Sequence, residues 1–268
     1  MLGLTRPTGG SATVCGKDIV QESLDVRRKI GYLAQNPRYY DHMTARETLR
    51  FRVHFFYRSP ASLIENRINE TLELVGLADK ADRPIQSFSG GELQRLGIAQ
   101  AQINYPDLLI LDEPAASLDP QGRRDVLEVM ARLRKHTSIF YCTHILDDVQ
   151  QVSHSVAILN HGELIAQAPL EELLTGSDGP VYKLVLEGDT QLAYAHMTSL
   201  PWVVKIKVES QGEQITWEVF VTDEIIAKTE ILNLLIRDEH LTVLEFSRHK
   251  RKLEEVFLNI VEGGQNVK

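Results

Sequence analysis

The stretch Leu108-Leu-Ile-Leu-Asp112-Glu113, followed at once by Pro-Ala-Ala-Ser-Leu-Asp-Pro, constrains the fold more than any other part of the chain. Four consecutive large aliphatic residues with no polar alternation read as a strand buried on both faces, which is the pattern of a parallel sheet covered by helices. Two adjacent acids at the end of such a strand come out at the carboxyl edge of the sheet, where ligands bind in open α/β folds. Three more runs read as strands of the same kind: Lys-Ile-Gly-Tyr-Leu-Ala-Gln (29–35), Ser-Ile-Phe-Tyr-Cys-Thr-His (138–144) and Ser-Val-Ala-Ile-Leu-Asn-His-Gly-Glu-Leu (155–164). Amphipathic segments alternate with them. The expected class is therefore α/β with a parallel sheet. After the acids, Asp119 stands as a helix N-cap with Pro120 at the first helical position, and Val126, Met130 and Leu133 then share one face.

Between the first two strands lies a helical insert, about 44–104, in which Gly76 marks a helix stop. Composition changes at Leu-Leu-Thr-Gly-Ser-Asp-Gly-Pro (173–180), a linker by its turn-forming residues. Beyond it the order strand (181–187), helix (190–199), strand (203–210), strand (214–222), helix (224–238), strand (241–247) and terminal helix predicts a small βαββαβ, ferredoxin-like domain. The expected organisation is a domain over 1–172, a linker over 173–180 and an α+β domain over 181–268. The full length of 268 residues suffices for one large domain and a small appendage.

The formal net charge of −8 argues against nucleic acid as a primary partner, because backbone binding rests on clustered Lys and Arg. The one dense basic run, Arg248 to Lys252, reads as a solvated turn. Cys15 and Cys142 have no metal-type spacing and make no disulfide framework. No apolar stretch approaches the roughly 18–20 residues that a membrane helix needs, so any membrane role is expected to come through a partner.

Four features bear on chemistry. In phosphoryl-transfer proteins a strand-end acid holds Mg²⁺ and a neighbouring acid orients or deprotonates water, which makes Asp112 a magnesium candidate and Glu113 a general-base candidate. Solvated loop starts or helix caps are the alternative. Phe-Ser-Gly-Gly-Glu (88–92) opens a helix, and Ser89, Gly90 and Gly91 leave backbone N–H groups unshielded in a way that suits a phosphate. An ordinary Ser-capped start is the alternative there. Gln35 and His144 each close a strand at the same sheet edge as Asp112, with plain packing as the alternative for either alone.

Taken in order, Gln35, Ser-Gly-Gly-Glu, Leu-Asp-Glu-Pro, Ser-Leu-Asp and Thr-His resemble the ATP-binding subunit of an ABC transporter over residues 1 to about 170. The resemblance implies a P-loop NTPase-like ABC ATPase domain that uses ATP and Mg²⁺. Gln35 resembles the Q-loop glutamine. Ser89, Gly90, Gly91 and Glu92 resemble the signature that completes a partner subunit's ATP site. Asp112 and Glu113 resemble the Walker B acid and the catalytic glutamate, Ser117 and Asp119 the D-loop, and His144 the switch histidine. The signature departs from Leu-Ser-Gly-Gly-Gln at Phe88 and at Glu92. The partners implied are a membrane-spanning permease and a second ATP-binding subunit, at the cytoplasmic face of the membrane. The linker and Lys-Leu-Glu-Glu-Val-Phe-Leu-Asn-Ile (252–260) look most like the exporter branch.

The pattern G-x-x-x-x-G-K-[ST], which cradles phosphates, does not occur in the sequence. Gly-Leu-Thr-Arg-Pro-Thr-Gly-Gly (3–10) is similar to the family segment that follows the helix after that loop. The expectation is a domain that lacks the A-loop, the leading strand and the phosphate loop at its N-terminal side. A start upstream of Met1 is the favoured explanation, since Glu113 and His144 are retained. The alternatives are an ATPase-silent partner lending only its signature to a heterodimer, and a soluble ABC protein acting on ribosomes or DNA. Tyr39, Tyr40, Phe51, Phe55 and Phe56 mark the expected permease contact, with core packing as the alternative.

Overall fold

The structure, a computed structural model, describes residues 2–175, 179–212, 214–236, 241–249 and 252–263. Residues 176–178 of the expected linker and 250–251 of the basic run lie outside them. The chain divides into two compact units, Met1–Val152 and Ser153–Lys268, so by packing the division falls ahead of the linker.

In the first unit, β1 (Thr13–Val14) and β2 (Lys17–Asp18) form a short antiparallel ladder, and α1 (Ser23–Lys29) leads into β3 (Ile30–Leu33). The insert supplies α2 (Ala45–Val53), α3 (Ala61–Leu74) and α4 (Gly90–Gln102). Then come β4 (Leu108–Asp112), α5 (Pro120–Leu133), β5 (Ser138–Cys142) and α6 (Leu146–Val152). The strands β3, β4 and β5 make a parallel sheet in that order, with Leu33 opposite Leu111 and Asp112 opposite Cys142.

One face of this sheet builds the core. Leu33, Leu109 and Leu111 pack with Leu49, Ile68, Leu72, Leu96, Ile98, Val126 and Met130 from α2 to α5, all nearly fully buried. Each such side chain contributes about 1.5–3 kcal/mol by leaving water. The opposite face is thinner, with Val26, Ile30 and Ile110 buried beside Leu2, Val14, Tyr32 and Leu108. On β5 exposure alternates. Ile139 and Tyr141 join the core, but Phe140 is 47% exposed and the outer edge of β5 is unpaired among the described strands.

The insert is fixed by its ends. Thr44 and Glu47 form a reciprocal capping box at the start of α2. α3 stops as expected at Gly76, whose φ of 66° lets Leu77 N–H reach Leu72 O at 2.8 Å and Gly76 N–H reach Glu73 O at 3.1 Å, a Schellman arrangement. Arg67 of α3 is buried and donates from Nε to Ile103 O (3.0 Å) and from Nη2 to Gln102 O (2.5 Å), with its guanidinium 3.3 Å from the Tyr105 ring centroid. It thereby satisfies orphan carbonyls at the end of α4.

In the second unit, β6 (Ser155–Asn160) pairs antiparallel with β7 (Glu163–Pro169). The run 155–164, expected as a fourth strand of the parallel sheet, is instead the first arm and turn of this hairpin. His161 and Gly162 take φ of 48° and 84°, the left-handed pair that a two-residue hairpin turn requires. The chain continues through α7 (Leu170–Thr175), β8 (Val181–Gly188), α8 (Gln191–Thr198), β9 (Val203–Gln211), β10 (Gln214–Val221), α9 (Glu224–Ile236), β11 (Leu241–His249) and α10 (Leu253–Gly263). The last four strands form one sheet in the order β11-β8-β10-β9, every neighbour antiparallel. Tyr182, Leu184, Leu186, Trp217 and Val219 pack with Ala193, Met197, Ala227, Ile231 and Leu235 of α8 and α9.

Candidate functional site

The parallel register sets the site. Because Leu33 lies opposite Leu111 and Asp112 opposite Cys142, the segments that follow β3, β4 and β5 leave the sheet at one edge, carrying Gln35, Glu113 and His144. β3 closes at Leu33, two residues earlier than expected, and Gln35 sits exposed in the bend beyond it.

Glu113 is the best-held group at this edge. Its φ is 48°, a left-handed conformation rare for a non-glycine residue, kept in place by Glu113 N–H donating to Cys142 O at 2.9 Å. Its carboxylate accepts from His144 N–H (3.1 Å) on Oε1 and from Thr143 Oγ1 (3.2 Å) on Oε2, and His144 Nδ1 lies 2.8 Å from Oε1. An ionised carboxylate only accepts, so Nδ1 is the donor in this contact, and Nε2 is a second donor whenever the ring carries both protons. The Glu113 side chain is 16% exposed and that of His144 72% exposed, so an inner acid is oriented by an outer imidazole. Thr143, the first residue of the Thr-His pair, has no role assigned by the sequence, yet it binds Glu113, and its hydroxyl also accepts Ile145 N–H at 3.1 Å.

Asp112 is half-buried and its carboxylate makes no hydrogen bond among the described residues; the same holds for the Gln35 amide. No group of three or more His, Cys, Asp or Glu among the described residues could hold a metal ion by itself. A donor set of one carboxylate and one amide oxygen fits Mg²⁺, which keeps several waters and is bound by one or two carboxylates together with substrate phosphates.

Ser89 caps α4 as a working box. Its hydroxyl accepts Glu92 N–H at 3.3 Å, and Glu92 Oε2 accepts Ser89 N–H at 2.8 Å. Glu92, grouped by sequence with the phosphate-facing residues, is thus turned back onto the cap. Its Oε1 also pairs with Lys80 Nζ at 2.7 Å. Burial pushes its carboxyl pKa up, but the bonds from Lys80 and Ser89 and the charges of Lys80 and Arg83 outweigh that and hold it below the usual range.

Two glycines join this helix start to the Ser117–Asp119 loop. A Cβ on Gly91 would stand 2.9 Å from Gly122 Cα, and one on Gly90 would stand 3.4 Å from Leu118 Cδ2. Ser117 has φ of 59°, and Asp119 occupies the N-cap position of α5 with no cap hydrogen bond from its side chain. On the other side, Tyr39 OH donates to Leu93 O at 2.8 Å, tying the segment after Gln35 to α4. Burial pushes the Tyr39 phenol far up. Of the five aromatics singled out, Tyr39 and Phe56 pack against the core. Tyr40, Phe51 and Phe55 are 60%, 50% and 66% exposed and form an edge-to-face row, with centroids 6.2 and 5.2 Å apart.

The family model described as ABC transporter matches residues 1–116. The chain is similar to the uncharacterized ABC transporter ATP-binding protein YxlF of Bacillus subtilis, 37% identical over 261 residues, which cover 97% of this chain and 84% of the relative. It is also similar to the bacitracin transport ATP-binding protein BcrA of Bacillus licheniformis, 30% identical over 270 residues, 98% of this chain and 83% of the relative. Among solved structures, cbiO1 from Clostridium perfringens, part of the ABC transporter complex cbiONQ, superposes with a TM-score of 0.58 at 26% identity, over 62% of this chain and 68% of that one. A dimeric ATP-binding cassette bound to ADP and Pi superposes with a TM-score of 0.55 at 22% identity, over 63% and 77%, and shows likeness of fold.

Proposed function

The chain belongs to the ABC transporter ATP-binding proteins, and from that premise we propose that it is the exporter-type subunit which couples ATP hydrolysis to transport through a separate membrane-spanning permease. The observation that carries this reading is the shared edge where Glu113, braced by His144 and Thr143, lies at the end of the strand that bears an unpartnered Asp112. Bound Mg²⁺ supplies neutralisation of phosphate charge. Asp112 and Gln35 are the donors this chain offers it. Glu113 orients and polarises the attacking water, and His144, through its outer nitrogen, steadies the terminal phosphate. Ser89, Gly90 and Gly91 face the nucleotide of a second ATP-binding subunit, and the Gly91–Gly122 contact carries the position of Asp119 to that interface.

A phosphate loop has to enter this site, and residues 1–268 contain no G-x-x-x-x-G-K-[ST]. The unpaired edge of β5 and the exposed Phe140 support the reading that a further parallel strand bearing that loop adds there. The absent motif also favours a second reading, in which this chain is an ATPase-silent partner that contributes its signature alone. The row Tyr40, Phe51 and Phe55 is where the permease docks. The antiparallel order β11-β8-β10-β9 supports a ferredoxin-like C-terminal domain. No helix among the described residues is long and apolar enough to cross a membrane, in keeping with peripheral attachment at the cytoplasmic face through the permease.

The test is purification of the tagged chain from gently solubilised membranes. A polytopic membrane protein is expected to co-purify and to be lost from the F51D/F55D variant; co-purification with ribosomes or DNA in its place would refute the transport reading.

A further inference from the structure

The signature departs from the family pattern at two positions, Phe88 and Glu92, and a cation from the single segment Lys80–Arg83 reaches each of them. Glu92 is 9% exposed and its Oε1 lies 2.7 Å from Lys80 Nζ, with Arg83 Nη1 at 4.0 Å. The Arg83 guanidinium lies 5.7 Å from the centroid of the buried Phe88 ring, and its Nη2 donates to Ser87 O (3.0 Å) and Ser87 Oγ (3.3 Å). We infer that Lys80 and Arg83 are positioning residues that adapt this variant signature to an anionic ligand: Lys80 cancels the charge of Glu92, and Arg83 fixes the turn through Ser87 and Phe88 that aims Ser89.

Two requirements conflict at this helix start. A glutamate at the third helical position is the best closing member of a capping box, and its charge suits the helix N-terminus. The same charge repels a phosphate brought to the N–H groups of Gly90 and Gly91, the Ser89 N–H being already donated to Glu92. A neighbouring unit charge a few ångströms away in partly excluded solvent weakens anion binding by about ten- to a hundredfold. Glutamine would keep the cap without the charge. This chain keeps the stronger acceptor and supplies the counter-charge from Lys80, which meets Glu92 Oε1 and leaves Oε2 to the cap bond.

The functional half of this inference rests on the nucleotide reading above, so its test has two arms. In the isolated full chain, amide exchange over Ser89–Leu93 is expected to quicken about tenfold in K80M, where the buried carboxylate loses its nearest cation, and to return to the wild-type rate in K80M/E92Q. In the complex purified from membranes through a tag on this chain, K80M is expected to raise KM for Mg–ATP about tenfold with kcat little changed. K80M/E92Q is expected to lie within about twofold of the wild type. An unaltered K80M, or a double variant as impaired as K80M, overturns the inference. Should the wild-type complex show no ATP hydrolysis, the nucleotide reading falls, while the exchange comparison still decides whether Lys80 positions Glu92.

Discussion

Gly90 and Gly91 are adjacent, both begin α4, and both would gain the same methyl group on mutation to alanine, yet the structure assigns them opposite outcomes. At Gly90 the new Cβ meets Leu118 Cδ2 at 3.4 Å, an ordinary contact with the end of a flexible side chain. At Gly91 it meets Gly122 Cα at 2.9 Å, so helices α4 and α5 must separate. Relief of glycine's entropy cost favours both substitutions by up to about 1 kcal/mol. Overpacking of a rigid contact costs about 1–3 kcal/mol and applies to Gly91→Ala only. The difference between the two variants, about 1–3 kcal/mol, is therefore the cost of the crossing itself. For a unit of this size it corresponds to a gap in Tm of roughly 3–10 °C. The assay has an internal control, because both tryptophans, Trp202 and Trp217, lie in the second unit. Far-ultraviolet circular dichroism should show the lower transition in Gly91→Ala, while tryptophan fluorescence should melt alike in all three proteins. Equal stability of Gly90→Ala and Gly91→Ala would refute the claim that the two helix starts are in backbone contact.

Removal of the Arg67 guanidinium in Arg67→Met leaves Gln102 O and Ile103 O without their donor and should cost about 2–4 kcal/mol in urea unfolding, with no recovery in Arg67→Lys, which cannot span both carbonyls. Glu92 gives a pH dependence with a definite sign. Its folded pKa is depressed below the ordinary 4.5, so its stabilisation is present above that value and fades as pH falls through the lower, folded value. Glu92→Gln should therefore flatten the acid limb of a stability–pH curve below about pH 4.5 and leave its slope at neutral pH unchanged, as read by thermal melts across a pH series.

Much of this was legible in the chain because the periodicities are unmixed. The run 107–113 could only be a buried strand, and the acids at its end could only emerge at the carboxyl edge. Gly76 was readable as a stop because a left-handed residue is needed there, and the structure closes the helix on it with both Schellman bonds. The hairpin at 155–169 was missed because an apolar run of this length fits a parallel or an antiparallel strand equally well; only the His161–Gly162 pair signals the turn. The parts played by Lys80, Arg83, Thr143 and Gly122 were invisible for a different reason. Each acts through a contact made in space, and the partners of Lys80, Arg83 and Gly122 lie between four and about thirty residues away in sequence.

The most direct test of the central claim is ATP hydrolysis by the complex purified through this chain, wild type against Glu113→Gln, with Mg²⁺ and with chelator. Mg²⁺-dependent turnover is expected, falling at least about a hundredfold in Glu113→Gln while nucleotide stays bound. Turnover in Glu113→Gln equal to that of the wild type would contradict it.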